Sequence, residues 1–127
     1  MRDDESGRFY QLNGRLPEPC TFKEFSLFLA LDRRRIVGRY TNEPWSVITS
    51  FTGIDVRSGR RIGDAKVFET LVLDTNKHLI GRYLYSTWDQ ALEGHESAAS
   101  RIQLLVEMSG AYADKIIETF KNEWHWG

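Results

Sequence analysis

Three observations predict an α+β fold for this chain. Four stretches rich in β-branched and aromatic residues follow one another between residues 35 and 86. The breaks between them, "TNEP", "DVRSGRRIGD" and "DTNKH", are turn chemistry and too short for parallel crossovers. A helical period flanks the block on each side. Together they describe an N-terminal strand and helix, a four-stranded antiparallel meander with one face covered, and a long C-terminal helix.

The elements follow in order. "FYQLNGRLPEP" alternates briefly and then meets Asn-Gly and two prolines, so it reads as a short strand ending in an irregular turn. In "CTFKEFSLFLALDRRR", Thr21 and Glu24 form a capping box: the hydroxyl accepts an N3 backbone N–H and the carboxylate reaches back to the cap. Phe22, Phe25, Phe28, Leu29 and Asp32 recur at helical spacing, and Leu27 and Leu31 widen the apolar face. A largely buried helix ending near Arg34 is expected. The strands are "RIVGRY", "WSVITSFTGI", "AKVFETLVL" and "LIGRYLYS".

Thr87 with Gln90 repeats the capping logic at the second helix, whose stripe is Trp88, Leu92, His95, Ala99 and Ile102. Val106, Ser109, Ala113, Ile116 and Phe120 continue that stripe at alternating spacings of four and three, as in a coiled-coil seam. Either one helix runs from about 88 to 124, or Gly110 splits it. Unbroken, it would reach roughly 55 Å at 1.5 Å per residue, more than a small domain covers. Residues 1–104 are therefore expected to form one α+β domain. Residues 105–127 read as a helical extension for assembly, most simply as a homodimer through Val106, Tyr112, Ile116, Phe120 and Trp124.

Composition narrows the classes. The 127 residues are 41% hydrophobic and 13% aromatic, enough for one core and against intrinsic disorder. No run approaches 18 apolar residues, and "MRDDESGRFY" has neither an apolar run nor a cleavage site, so a soluble, cytoplasmic protein without a membrane partner is expected. The single cysteine, Cys20, excludes an internal disulfide and a multi-thiolate metal site within one chain. The net charge of −1 hides an asymmetry: residues 1–83 hold 14 Lys and Arg against 11 Asp and Glu, and residues 84–127 hold three against seven.

Candidate working residues are few. Arg33, Arg34, Arg35 and Arg39 precede the first long strand, and Arg57, Arg60 and Arg61 occupy a Gly-containing loop. They form a ligand- or partner-binding patch if the fold brings the groups together, and solvated loop charge otherwise. His95 lies on the apolar stripe and reads first as core, with one ring nitrogen hydrogen-bonded. Glu69 alternates with Val67, Leu71 and Leu73, so a carboxylate sits on a mainly apolar strand face and needs a partner. With the "DTNKH" turn setting the register, 69 falls opposite 84 and Arg82 becomes its diagonal neighbour. Glu69, Arg82 and His95 are the weak catalytic candidates. No cofactor or metal is implied, since His78, His95 and His125 lack ligand spacing and no nucleophile elbow or phosphate loop occurs.

"YQLNGRLPEPC", "LDRR", "SVITSFTGID", "VFETLVL" and "RYLYSTWDQALEGHE" resemble, in order and spacing, a family of short uncharacterised proteins encoded by bacteriophages and bacteria. Its pattern runs YxLxGxxPxPC, then DR, VSTxFxGxD, LFET and RYxTWxEAxxGH. The resemblance covers residues 10 to about 96 and carries no activity over. Asp55-Val56 stands where the family tends to Asp-His, and "RSGRRIG" is more basic than the family's Gly-Pro-rich loop.

Three classes remain. The first is a non-catalytic phage-type accessory protein that binds a host protein or complex, for example to inhibit a host defence system. The second is a binder of small nucleotides or single-stranded nucleic acid, through arginines interleaved with Phe51, Tyr40, Tyr83 and Tyr85. The third is an enzyme using Glu69, Arg82 and His95.

Overall fold

A computed structural model of the chain describes residues 8–31, 35–57, 63–108 and 110–124. The order is β1 (Tyr10–Asn13), β2 (Leu16–Pro19), α1 (Phe22–Leu31), β3 (Ile36–Asn42), β4 (Trp45–Phe51), β5 (Phe68–Leu73), β6 (Leu79–Tyr85), α2 (Trp88–Glu107) and α3 (Ala111–Asn122). Strands β3 to β6 form the antiparallel meander β3-β4-β5-β6, so the α+β class and its topology stand as expected.

The N-terminal segment departs from expectation. In place of a strand and an irregular turn, it is a β1–β2 hairpin with Asn13 opposite Leu16. Pro17 and Pro19 fit because an isolated two-stranded ribbon leaves their missing N–H groups facing no neighbour. The ribbon is tied to the meander by a bridge between Phe9 and Ile54 and by the Tyr10 N–H donating to the Gly53 carbonyl at 2.8 Å.

One face of the sheet carries the core. Val47, Thr49 and Phe51 on β4 lie opposite Val72, Thr70 and Phe68 on β5, and all six are buried. Helix α2 lies on this face. Its buried residues are Ala91, His95, Ala98, Ile102 and Leu105: His95 and Ile102 lie on the predicted stripe, whereas Leu92 and Ala99 are part-buried and Val106 is exposed. The spacing is as expected, and the buried face is centred slightly to the side of the predicted one, taking in the small residues Ala91 and Ala98. The capping box at Thr87 and Gln90 is formed in both directions.

The C-terminal third corrects the long-helix alternative. Helix α2 stops at Glu107 with Met108 extended, and Gly110, at φ 66° and ψ −134°, starts α3 in a conformation that side-chain-bearing residues avoid. The break turns α3 back onto β6 and α2. Phe120 is fully buried among Val47, Val72, Ile80, Ala98 and Ile102, and Ile116 and Ile117 pack beside it. Of the predicted assembly residues, Phe120 is thus taken into the chain's own core and Ile116 packs, part-buried, against it. Residues 111–122 belong to the same packed unit as the sheet. Val106 and Tyr112 stay exposed, and Trp124 is half-buried.

Helix α1 is the second correction. Its capping box is present, with Glu24 N–H donating to Thr21 Oγ1 at 3.1 Å and Thr21 N–H to Glu24 Oε1 at 2.9 Å. The expected burial is not. Phe25 alone is buried, while Phe22, Leu27 and Leu31 are 56%, 53% and 78% exposed. The helix lies at one end of the sheet, where Phe28 meets Phe51 edge-on at 5.6 Å and Phe9, Phe22 and Phe25 cluster. It has an end to cover rather than a face.

Candidate functional site

The residues singled out from sequence fall into separate places. His95 projects from α2 onto the sheet, where its Nδ1 lies 2.8 Å from Thr49 Oγ1, which lies 2.6 Å from Thr70 Oγ1. A buried polar line therefore runs from helix to β4 to β5. Its ring rests on the backbone of β3: a Cβ added at Gly38 would come within 2.6 Å of His95 Cδ2 and Nε2. Burial lowers the His95 pKa below its ordinary value, with Glu96 pulling weakly the other way. A neutral, hydrogen-bonded core histidine is the result.

Glu69 and Arg82 do meet, Nε to Oε2 at 2.8 Å, with side chains 18% and 20% exposed. They meet on the opposite face of the sheet. Thr70 points to His95, so its neighbour Glu69 points away, and Arg82, across from Leu71, shares Glu69's face. The sheet separates this ion pair from the histidine, and the three residues share no cleft.

Among the arginines, Arg57 is engaged. Its Nε and Nη2 donate to the two carboxylate oxygens of Asp55 at 2.9 Å each, and Nη2 also reaches the Asp64 carbonyl at 3.0 Å. Asp55 is buried, so this pair closes the long β4–β5 connection from within. Arg35 and Arg39 are exposed. Arg35 sits at the same end of the sheet as Asp55 and Arg57, its carbonyl accepting from Phe51 N–H at 2.7 Å, while Arg39 lies farther along β3 opposite Ile48. Arg33, Arg34, Arg60 and Arg61 lie outside the described residues.

A cavity that sequence reading missed lies where β6, α2 and α3 meet. It has a volume of about 200 Å³ and is lined by Tyr83, Tyr85, Gly94, Ser97, Ala98, Arg101 and Phe120. Glu123, just beyond α3, accepts from the Tyr83 hydroxyl at 2.7 Å and from Arg101 Nη1 at 2.5 Å. The Arg101 guanidinium sits over the Phe120 ring at 5.4 Å. Burial, then the Glu123 carboxylate, pushes the Tyr83 hydroxyl well above the ordinary tyrosine range, and burial raises Tyr85 as well. Both phenols are neutral, and Tyr83 donates to Glu123. Tyr85 lies against α2 at Gly94, where any Cβ would fall 2.1 Å from its hydroxyl oxygen. Arg101 and Glu123 are 22 residues apart on opposite sides of the Gly110 break. The one available sequence signal was that Arg101 is the sole Lys or Arg between Arg82 and Lys115.

The Cys20 thiol is half-buried and its pKa is raised, by burial first and by Glu24 second, which keeps it protonated. Among the described residues, no cluster of three His, Cys, Asp or Glu side chains is placed to hold a metal ion, and no helix is long and apolar enough to cross a membrane. Comparison with protein-family models, curated proteins and solved structures gives no match, so the site is defined by this chain's own geometry.

Proposed function

We propose that the chain is a non-catalytic accessory protein that acts by binding a host protein through the outer face of α1. One observation carries this reading: Leu27 and Leu31 stand more than half exposed on the side of a helix turned away from Phe25, with Phe22 open at its start. A helix laying i, i+4 apolar anchors into a groove is a recurrent recognition mode. Exposed Lys23 lies one turn before Leu27, and Glu24 is held by the Thr21 N–H, so a folded protein whose apolar groove has an acidic rim fits the face. Resemblance to phage-encoded proteins favours a host protein or complex, and interference with a host defence system is one concrete form.

The enzyme reading loses its support, because Glu69–Arg82 and His95 face opposite sides of the sheet. Self-association through the tail loses Phe120 as a contact and would rest on exposed Val106 and Tyr112 with part-buried Ile116 and Trp124.

The test compares the wild-type protein with a Leu27→Gln/Leu31→Gln variant as bait in host lysate, and places a photo-reactive residue at position 27. A single host protein crosslinked from position 27, and lost by the double variant, is the expected outcome. Equal capture by both baits, or no crosslink, overturns the α1 assignment.

A further inference from the structure

We infer that the cavity between β6, α2 and α3 is a binding site for an uncharged pyrimidine nucleoside, with the base inside and the ribose in the groove beside α2. This goes beyond the accessory-protein reading and does not rest on it.

Size and shape come first. A dry cavity of about 150 Å³ takes up benzene, and this one, at about 200 Å³, admits a single six-membered ring with exocyclic oxygens. Its walls are aromatic. Tyr83 and Tyr85 line it as part-buried rings, Tyr85 closing the side toward Gly94, and the fully buried Phe120 stands edge to face behind Tyr83 at 6.5 Å. Such walls select a flat ring.

Hydrogen bonding sets the ring's chemistry. A guanidinium has five N–H donors. Arg101 commits Nη1 to Glu123 and Tyr83, and among the described residues Nε and Nη2 have no protein acceptor. Arg101 lines the cavity, so a carbonyl-bearing ring supplies the acceptors that complete it. Pyrimidine bases carry such carbonyls.

Charge decides against an anion. The Glu123 carboxylate already neutralises Arg101, and Glu93 lines the adjoining groove together with Gln90 and Ser97. A phosphate or carboxylate entering here would face two carboxylates with one cation between them. A ribose, by contrast, brings hydroxyl donors to a carboxylate, the pairing that acidic residues make with sugar hydroxyls in nucleotide-binding folds. Glu93 is exposed and placed along that groove. The occupant is therefore a nucleoside and not a nucleotide, the uncharged form of the small-nucleotide alternative.

The experiment is an amide-shift NMR titration of the full chain with uridine, with uridine 5′-monophosphate and with benzoate, up to millimolar concentration. Expected are saturable shifts at Gly94, Ser97 and Arg101 with uridine, and affinity at least about tenfold weaker for the monophosphate and for benzoate. Ser97→Phe plugs the cavity mouth from an exposed helix position that the core does not use, and should abolish the uridine shifts while leaving the remaining spectrum in place. Arg101→Met should weaken uridine by at least about tenfold, and if that variant unfolds, Ser97→Phe still decides. No saturable shifts with uridine, shifts that survive Ser97→Phe, or a monophosphate or benzoate that binds as well as uridine would each overturn the assignment.

Discussion

Helices α1 and α3 are similar in length and unlike in fate. Seven of the ten residues of α1 are apolar, yet it buries only Phe25. Six of the twelve residues of α3 are apolar, yet it buries Phe120 completely and packs Ile116 and Ile117 beside it. Apolar content therefore does not predict burial here. Place does. Helix α3 meets an unfilled flank between β6 and α2, where Phe120 becomes fully buried. Among the described residues, helix α1 meets the end of the sheet and the β1–β2 ribbon, which Phe25 and Phe28 seal. The uncovered leucines of α1 are surplus to folding, whereas α3, which looked like surplus in the sequence, completes the core.

The sharpest way to break this contrast is to remove α3. Truncation after Glu107 strips Phe120, Ile116 and Ile117 from Val72, Ile80 and Ile102. The expected product is insoluble or molten, with lost amide dispersion, rather than the well-folded shorter domain that a separate assembly tail would leave. The point version is Phe120→Ala, which should cost about 3–5 kcal/mol by denaturant unfolding, from lost transfer energy and the cavity left behind.

What was legible in the sequence was local. The capping boxes at Thr21/Glu24 and Thr87/Gln90 span three residues each, and both are formed. The Glu69–Arg82 contact is one step longer: it needed only a hairpin register, and 69 does lie opposite 84, although a bulge puts 79 and not 80 opposite 73. Burial of α1 and the return of α3 were not legible, because each depends on which flank of the sheet is still open once the other elements are in place. Gly110 allowed both a continuous and a broken helix. The choice came from the pocket waiting for Phe120, and a periodicity cannot show a pocket. The Arg101–Glu123 contact was hidden for the same reason.

Next in size is His95, which links α2 to the sheet that both outer helices border. His95→Ala removes a buried ring and leaves Thr49 with one partner fewer, at a cost of about 1–3 kcal/mol. A pH effect follows with a definite sign. The folded-state pKa is depressed, so the unfolded chain binds this proton more tightly. The contribution is fully present above the unfolded value of about 6.5 and declines as pH falls through it toward the lower folded value. Thermal unfolding followed from about pH 8 to about pH 5 should show this loss in wild type, and a shallower slope in His95→Gln. Equal slopes would remove His95 as its source.

On the opposite face, Arg82→Ala should cost about 1.5 kcal/mol, because it strands the part-buried Glu69 carboxylate. Double substitution to Arg82→Met and Glu69→Leu should recover most of that, since removing both charges leaves none uncompensated. Neither variant should alter binding through α1, because the ion pair lies on the face of the sheet opposite to that of Phe51, on which α1 packs.

The smallest expected effect is the most telling one for function. Leu27 and Leu31 are more than half exposed, and glutamine is nearly as good a helix former as leucine. Leu27→Gln/Leu31→Gln should therefore shift stability by no more than about 0.5 kcal/mol, against several for Phe120→Ala. If the double variant instead loses about 2 kcal/mol or more, the leucines are core in solution and α1 is covered by the chain itself, and the contrast with α3 disappears. If stability holds while the crosslink from position 27 is lost, the same two side chains are neutral for folding and required for binding. That combination is what separates an interaction surface from a piece of core, and denaturant unfolding of the bait proteins used in the crosslinking experiment measures both halves of it on one sample.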